Sequence, residues 1–313
     1  MDSLLRGRDF LTLQDYSQKD IWQILEKTRE LKRETSAEEL RKILLGKNVA
    51  MIFQKPSTRT RVSFEVAIEQ LGSHALYLDW SQLQLGRGET VADTARVLDR
   101  YVDGIVARVF AQSHLEEMAK HAAVPVINAL SNLLHPCQII CDLYTIWEKK
   151  RSLKGLKLAY IGDGNNVCNS LLIGCTKTGM NISVACPDAF KPNAKAMEWA
   201  EKNAKETGSK VEVTAEPEKA VENADVIYTD VFVSMGSEAE REKRLRAFMP
   251  KYQVTKRLFT RAAEDAIFMH CLPAHRGEEV TNEVIDGPRS IVWDQAENKL
   301  HIAKALLALL VPR

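Results

Sequence analysis

Short apolar runs rich in β-branched residues alternate along the chain with stretches whose apolar residues recur at helical spacing. The runs predict strands at Val49–Phe53, His74–Leu78, Gly104–Val109, Pro125–Asn128, Leu156–Ile161, Ile182–Ala185, Val226–Thr229 and Ala266–His270. The stretches between them predict helices that include Arg61–Leu71, Val91–Tyr101, Leu115–His121, Pro136–Lys149 and Asn166–Thr178. This alternation predicts an α/β fold of parallel sheets flanked by helices.

A polar stretch, EKKRSLKG at residues 148–155, separates a long predicted helix from a new strand. We therefore predict two domains, residues 1–148 and 149–295, each a parallel sheet flanked by helices, with the second doubly wound. The apolar helix predicted at Ala296–Leu310 should join residues 296–313 to the first domain. A long charged segment at 231–259 opens with Ser234-Met235-Gly236 just after a strand, and such excursions are often lids.

Composition excludes several functional classes. Lys and Arg total 43, Asp and Glu total 42, and the formal net charge of +1 creates no global field for nucleic acid or an anionic membrane. No run approaches the roughly 20 apolar residues of a membrane span, and the N-terminal sequence lacks the pattern of a secretory signal.

Cysteine usage points to a reducing compartment. Six cysteines are too few for a disulfide scaffold in a chain of 313 residues. Cys137 and Cys141 have the spacing of helical neighbours, and Cys168 and Cys175 are explained in the same way as small buried helix residues rather than metal ligands. We therefore expect a cytoplasmic protein with no metal and no cofactor.

Hydroxyl and guanidinium groups are concentrated in Ser57-Thr58-Arg59-Thr60-Arg61, where the first predicted strand gives way to a helix. At a helix N-terminus, free backbone N–H groups and the helix dipole favour an anion. The hydroxyls add donors, and the Arg59 guanidinium adds a planar fork that is always charged. The segment predicts a phosphate or carboxylate site, although Ser57 acting only as a helix cap would give the same pattern.

Three further segments place polar side chains at the carboxyl ends of predicted strands, where ligands of open α/β sheets bind. Arg108 ends an apolar strand, and a guanidinium buried there needs an anionic partner. His135 and Gln138 flank the start of a helix and are able to face a ligand, although a single His is more often structural. His270-Cys271-Leu272-Pro273 ends another strand.

These motifs together resemble the aspartate/ornithine carbamoyltransferases. Ser57 to Arg61, His135-Pro136-Cys137-Gln138 and His270-Cys271-Leu272-Pro273 occur in that family's order and spacing. The sequence DVFVSMG, from Asp230 to Gly236, and the Cys271-Leu272 pair resemble its ornithine branch. The resemblance implies direct transfer of the carbamoyl group from carbamoyl phosphate to the δ-amine of L-ornithine. The products would be L-citrulline and phosphate, in arginine biosynthesis, with no covalent intermediate.

The resemblance also implies a set of carbamoyl phosphate ligands: Ser57, Thr58, Arg59, Thr60, Gln84, Arg108, His135, Gln138, Cys271, Leu272 and Lys299. Arg108 and His135 would donate to the carbonyl oxygen as negative charge builds on it, and Cys271 would lie near the δ-amine. Lys299 stands where the family usually has an arginine. It keeps the charge but loses the planar fork.

The implied ornithine ligands are Asn166, Asp230, Ser234 and Met235. Asp230 would pair with the α-ammonium group, and the loop that begins at Ser234 would close over ornithine after carbamoyl phosphate binds. The family builds its active sites between the subunits of a trimer. The resemblance therefore implies a homotrimer, or a multiple of trimers, in which Gln84 reaches a neighbouring site.

Two alternatives to this reaction follow from the sequence. Gly162 and Gly164 follow a strand and Asp188 ends the next one, as in NAD-dependent oxidoreductases, but Val167 occupies the third glycine position. The second alternative is a different amine acceptor, namely putrescine, an N-acylornithine or aspartate. The Asp230 carboxylate and the SMG sequence disfavour aspartate.

Overall fold

The computed structural model describes residues 5–37, 41–234, 236 and 238–312. The strands are β1 Asn48–Phe53, β2 His74–Asp79, β3 Gly104–Arg108, β4 Val126–Leu130, β5 Lys157–Ile161, β6 Asn181–Ala185, β7 Val211–Thr214, β8 Val226–Thr229 and β9 Ile267–His270. The α-helices are α1 Gln18–Ser36, α2 Thr58–Gln70, α3 Val91–Leu98, α4 Gln112–His121, α5 Pro136–Lys150, α6 Asn166–Lys177, α7 Ala194–Thr207, α8 Pro217–Val221, α9 Arg241–Phe248, α10 Lys256–Phe259, α11 Asn282–Ile285 and α12 Val292–Leu310.

The first compact unit comprises residues 1–144 and 297–313. Its four-stranded sheet is parallel throughout and has the order β2-β1-β3-β4. The strand order reverses between β1 and β3, so the loops after these two strands border the crevice at the carboxyl edge of the sheet. Phe53 and Arg108, the last residues of the two strands, are partners in the register.

The second unit comprises residues 145–296 and contains the parallel sheet β7-β6-β5-β8-β9. Its order reverses between β5 and β8, which is the doubly wound arrangement. The loops after β5 and β8 therefore flank the crevice of this sheet. Two parallel sheets flanked by helices confirm the fold class predicted from the sequence.

The structure differs from the predicted elements at a few places. Strand β7 was missed because Val211–Thr214 is a short edge strand whose residues are all half-buried, so it lacks an apolar run. Helix α2 begins at Thr58 rather than Arg61, and α12 begins at Val292 rather than Ala296. The two units divide at 144/145 and 296/297, inside α5 and α12, whereas the sequence suggested 148/149 and 295/296.

Burial agrees with the expectations for cysteines. Cys137 and Cys141 are buried in α5, and Cys168 and Cys175 are buried in α6. All six cysteines lie among the described residues, and none of them forms a disulfide. In the described part of the chain, no helix combines the length and the apolar character that crossing a membrane requires.

Lys304 on α12 is buried against α1, and we expect it to destabilise the folded state. Its ammonium group donates to the Thr35 hydroxyl, and burial lowers its pKa to about 8. The folded state thus disfavours the charged amine. The cost is full below about pH 8 and is relieved as pH rises towards the ordinary lysine pKa of about 10.4. We expect Lys304→Met to raise the free energy of unfolding at pH 7 by roughly 1 to 3 kcal/mol, measured by urea unfolding.

The Lys304→Met variant should also lose the wild-type gain in stability above pH 8. The Thr35 hydroxyl keeps its bond to the Leu31 carbonyl (2.7 Å), so the substitution leaves it with an acceptor. Lys19→Met, an exposed change on α1, is the control and should leave stability nearly unchanged. Parallel pH curves for the wild type and Lys304→Met would contradict a burial cost at this lysine.

Candidate functional site

Helix α2 begins in a cradle formed by its own hydroxyl residues. Ser57 is the N-cap with an extended backbone; its Oγ accepts from the Thr60 N–H (3.3 Å) and donates to Thr60 Oγ1 (3.1 Å). Thr60 is buried, Arg59 is half-buried and Thr58 is exposed. Ser57 is therefore a true helix cap. The N-terminus that it caps lies at the point where the strand order reverses, where the helix dipole favours an anion.

Arg108 ends β3, the neighbour of the strand that leads into the cradle. The Gln54 N–H donates to the Arg108 carbonyl at 2.8 Å, which joins the ends of β1 and β3. The Arg108 side chain is buried. A buried guanidinium beside a helix N-terminus places fixed positive charge where an anionic ligand would bind.

His135 is held in its neutral form. The residue is buried just before α5, and burial lowers its pKa well below the ordinary value, assisted by the positive charges of Lys299 and Arg108. At neutral pH the imidazole therefore carries a single N–H, which makes it a neutral donor rather than a cation.

Lys299 joins this group through the amide of Gln138. Lys299 Nζ donates to Gln138 Oε1 at 2.6 Å, and Gln138 Nε2 donates to Asp142 Oδ1 at 2.8 Å. A small cavity of about 10 Å³ is lined by side chains that include Thr60, His135 and Lys299. The structure thus brings together three residues that are far apart in the sequence.

Gln84 lies outside this cluster. It begins a short 3₁₀ helix, Gln84–Arg87, and is exposed, whereas the next residue, Leu85, is buried. In the described part of the chain, no hydrogen bond joins its side chain to the other candidate residues.

Asp230 is the centre of the candidate site in the second unit. It follows β8 and is buried; its Oδ2 accepts from Asn165 Nδ2 (2.8 Å), and its Oδ1 accepts from the Cys271 thiol (3.1 Å). Asn165 also caps α6 by accepting from the N–H groups of Val167 and Cys168. The Asp230 carboxylate is thereby fixed at the point where this sheet's strand order reverses.

Cys271 and Leu272 follow β9 in a turn that is held by hydrogen bonds of the buried His270. Leu272 has a φ of +59°, an uncommon left-handed conformation for a non-glycine residue, and its N–H donates to His270 Nδ1 at 2.9 Å. Since Nδ1 accepts, the proton lies on Nε2, which donates to Glu279 Oε1 at 3.1 Å. His270 and Glu279 are fully buried. This pair therefore orients the turn that carries Cys271.

The other candidate ornithine ligands are Asn166, Ser234 and Met235. Asn166 is the first residue of α6, and both Asn166 and Ser234 are half-buried. Met235 lies outside the described residues. Sequence reasoning did not predict the bond from Asn165 to Asp230, since asparagine is ordinary at a helix cap. It missed Glu279, which sits in a charged run without a distinctive spacing.

Donor atoms of Asp230, His270 and Cys271 lie within 4.8 Å of one another, close enough to consider a metal ion. Both His270 nitrogens are already engaged, with the Leu272 N–H and with Glu279, so the ring offers no lone pair to a metal. His275, Glu278 and Glu279 form a second such group, but Arg241 forms an ion pair with Glu278 there. We therefore interpret both groups as hydrogen-bonded clusters.

Gly164, in the loop after β5, packs closely against another segment of the chain. A Cβ on Gly164 would lie 2.3 Å from the backbone nitrogen of Pro192, so the chain itself fills the space that a pyrophosphate would need. Val167, at the third glycine position, is buried in α6. These contacts disfavour the oxidoreductase alternative.

Comparisons with known proteins agree over nearly the whole chain. The model of the carbamoyl-P binding domain of aspartate/ornithine carbamoyltransferase matches residues 8–148, and that of the Asp/Orn binding domain matches residues 154–310. The ornithine carbamoyltransferase of Pyrococcus horikoshii is 58% identical over 307 residues, which cover 98% of this chain and 96% of the relative. The anabolic ornithine carbamoyltransferase of Pyrococcus furiosus is also 58% identical, over 98% of this chain and 97% of its own.

Solved structures give the same result. Ornithine carbamoyltransferase from Pyrococcus furiosus superposes with a TM-score of 0.96 at 57% identity, covering 99% of both chains. The enzyme from Thermus thermophilus gives 0.85 at 43% identity, covering 96% of this chain and 97% of its own. On the strength of both domain matches and these full-length relatives, the chain belongs to the aspartate/ornithine carbamoyltransferase family.

Proposed function

We propose that this chain transfers the carbamoyl group from carbamoyl phosphate to the δ-amine of L-ornithine and releases L-citrulline and phosphate. The observation that carries this choice is Asp230, a buried carboxylate fixed by Asn165 and Cys271 in the crevice of the second unit. A fixed anion there suits an acceptor with a free α-ammonium group. Relatives that share more than half of their residues with this chain are named for ornithine.

Carbamoyl phosphate would bind at the crevice of the first unit. Its phosphate would accept from the first turn of α2 and from the Arg59 guanidinium, within the cradle formed by Ser57, Thr58 and Thr60. Gln138 and Lys299, joined by their hydrogen bond, would face the same ligand. We further propose Cys271 and Leu272 as ligands of the carbamoyl group.

Catalysis would rest on donors aimed at the carbonyl oxygen. Arg108 contributes a charged fork and His135 a neutral N–H, so both stabilise the charge that builds as the tetrahedral state forms. Removing one such donor typically lowers the rate by about 100-fold or more. The neutral δ-amine forms the new C–N bond, the bond from carbon to the phosphate oxygen breaks, and the leaving phosphate accepts the amine proton.

The Cys271 thiol takes no covalent part in this scheme. It donates to the Asp230 carboxylate, which requires the protonated form, and a thiol is a far weaker nucleophile than a thiolate. We assign it to positioning the δ-amine of the acceptor, while Asp230 pairs with the α-ammonium group. Asn166, Ser234 and Met235 would bind the rest of the amino-acid head.

An assay with several acceptors tests the proposal. Purified protein and carbamoyl phosphate would be incubated with ornithine, putrescine, N-acetylornithine or aspartate, and the carbamoylated products quantified. We expect product with ornithine at a kcat/KM far above the others, because only ornithine presents a free α-ammonium together with a carboxylate and a terminal amine. Absence of citrulline, or a clear preference for another acceptor, would refute the assignment.

We further propose a homotrimer, or a multiple of trimers, with active sites shared between subunits. In this arrangement the exposed Gln84 would contact carbamoyl phosphate held by the neighbouring subunit. Six cysteines without a disulfide fit a reducing cytoplasm, and the Pyrococcus furiosus relative, named anabolic, supports a role in arginine biosynthesis.

Hybrid trimers test the shared site. Mixing Arg59→Ala with Gln84→Ala subunits should restore activity, because each mixed trimer then contains one site with both residues intact. About three quarters of randomly formed trimers are mixed and each has one intact site in three, so about one quarter of wild-type activity is expected. Mixed trimers purified through two different tags that showed no recovery above the parents would contradict the shared site.

A further inference from the structure

Arg244 differs from its neighbours on the charged helix α9. The Arg246 side chain is 82% exposed, whereas that of Arg244 is 13% exposed. Its Nη1 donates to Asp163 Oδ2 at 2.8 Å and to the Phe232 carbonyl at 3.2 Å, and the guanidinium lies over the Phe190 ring. Glu240 Oε2 accepts from its Nε at 3.3 Å, and a guanidinium with three acceptors and a ring contact is held in one orientation.

The two acceptors of Nη1 belong to the two loops that flank the crevice of the second sheet, whereas Nε donates to Glu240 Oε2. Asp163 lies in the loop after β5, which carries Asn165 and leads into Asn166 at the start of α6, and Phe232 lies after β8 between Asp230 and Ser234. Arg244 therefore bridges both segments of the proposed ornithine site from the side of α9.

Two hydrogen bonds of Asn165 connect Asp163 to Asp230 and close a ring of contacts with Arg244. Asn165 Nδ2 donates to Asp230 Oδ2 at 2.8 Å, and the Asn165 N–H donates to the Asp163 carbonyl at 2.7 Å. The path from Arg244 through Asp163, Asn165 and Asp230 then returns along the chain to Phe232. Removing Arg244 opens this ring at the two bonds that it alone provides.

Charge supports the same role. Burial raises the pKa of Asp163, the negative Asp230 adds to this effect, and the Arg244 guanidinium opposes it. Arg244 thus favours an ionised Asp163 in the immediate surroundings of Asp230.

We propose, on the basis of the function proposed above, that Arg244 is a positioning residue for the amino-acid subsite. It sets the spacing between the Asp230–Ser234 segment and the Asn165–Asn166 segment without touching the substrate. An α-amino acid carries opposite charges on one carbon, so its recognition depends on a carboxylate and on donors held at a fixed separation. Small displacements of such groups are costly.

Kinetics of Arg244→Gln test this role. We expect the KM for L-ornithine to rise about tenfold, with kcat lowered by at most about threefold, because two charge-assisted bonds that shape the binding site are lost. The KM for carbamoyl phosphate should stay near the wild-type value, since the cradle, Arg108 and His135 lie in the other unit. The inhibition constant of L-norvaline, which has the amino-acid head but no δ-amine, should rise by the same factor as the KM for ornithine.

Two further variants sharpen the test. Arg246→Gln removes an exposed arginine from the same helix and should behave like the wild type. Asp163→Ala opens the same ring from the other side and should also raise the KM for ornithine. The double variant with Arg244→Gln should be little worse than the more impaired single variant, because both changes remove one shared interaction. If Arg244→Gln fails to fold, Asp163→Ala carries the same comparison.

Several results would overturn the proposal. Unchanged ornithine and norvaline constants in Arg244→Gln, or an equal rise in the KM for carbamoyl phosphate, would assign Arg244 to overall stability only. The thermal unfolding of each variant is measured alongside the kinetics. A lower unfolding temperature with unaltered kinetic constants would likewise assign Arg244 to overall stability only. The wild type in the same assay separates the two proposals. No citrulline from the wild type refutes the function, whereas citrulline from the wild type with wild-type constants in the variants refutes the positioning role alone.

Discussion

Arg59→Ala should lower kcat/KM for carbamoyl phosphate by roughly 10³-fold while leaving the fold intact. Arg59 lies in the first turn of α2, where its fork is proposed to meet the phosphate dianion, and no other residue type supplies both its charge and its planar geometry. It is half-buried rather than part of a core, so removing its side chain leaves no large cavity. Initial-rate kinetics, together with direct calorimetric titration of carbamoyl phosphate, measure the effect.

Arg96→Ala is the matched control for this experiment. Arg96 lies on α3 of the same unit, forms an ion pair with Asp93, and has a side chain that is 55% exposed. Its loss should leave both kinetic constants near the wild-type values. Wild-type affinity for carbamoyl phosphate in Arg59→Ala would show that the anion binds elsewhere, and the proposed cradle would have to be abandoned.

Asp230→Asn should lower kcat/KM for ornithine by roughly 10³-fold, mainly through KM, because a neutral amide cannot pair with the α-ammonium group. The substitution preserves the shape of the side chain, and one amide oxygen can still accept from Asn165 Nδ2. Initial rates at varied ornithine and saturating carbamoyl phosphate give the constants. The KM for carbamoyl phosphate should change little.

Asp188→Asn controls for loss of a carboxylate in the same unit, since Asp188 is exposed and pairs only with Lys191 among the described residues. It should leave the ornithine constants unchanged. An ornithine response in Asp230→Asn equal to that of the wild type would remove Asp230 from the site and would reopen the choice of acceptor.

The sequence predicted those parts of the site in which a residue type is chemically costly at its position. Arg108 at the end of an apolar strand is a charged group among buried neighbours, and such a group requires a reason, whereas Asp230 was implied by the family resemblance. The alternation of strands and helices likewise predicted both parallel sheets. What these signals share is a contrast between a residue and its local surroundings.

Other parts of the site could not be predicted from the sequence because their residues do not contrast with their neighbours along the chain. Arg244 lies among many charged residues, and only the folded chain shows that it turns inward to Asp163 and Phe232. The bond between Lys299 and Gln138 joins residues far apart in the sequence, which no local spacing predicts. Strand β7 is held by pairing with β6 rather than by an apolar pattern of its own.

The first unit is built from two separate segments of the chain, and this affects the order in which the two units fold during synthesis. This unit needs residues 297–313 as well as residues 1–144, whereas the second is a continuous segment, 145–296. The Gly7 N–H donates to the Leu310 carbonyl at 2.7 Å, and Leu306 and Leu310 are fully buried. On the ribosome, the middle of the chain can therefore reach its native state before the beginning does. We therefore expect the first unit to complete its fold only after α12 has been synthesised.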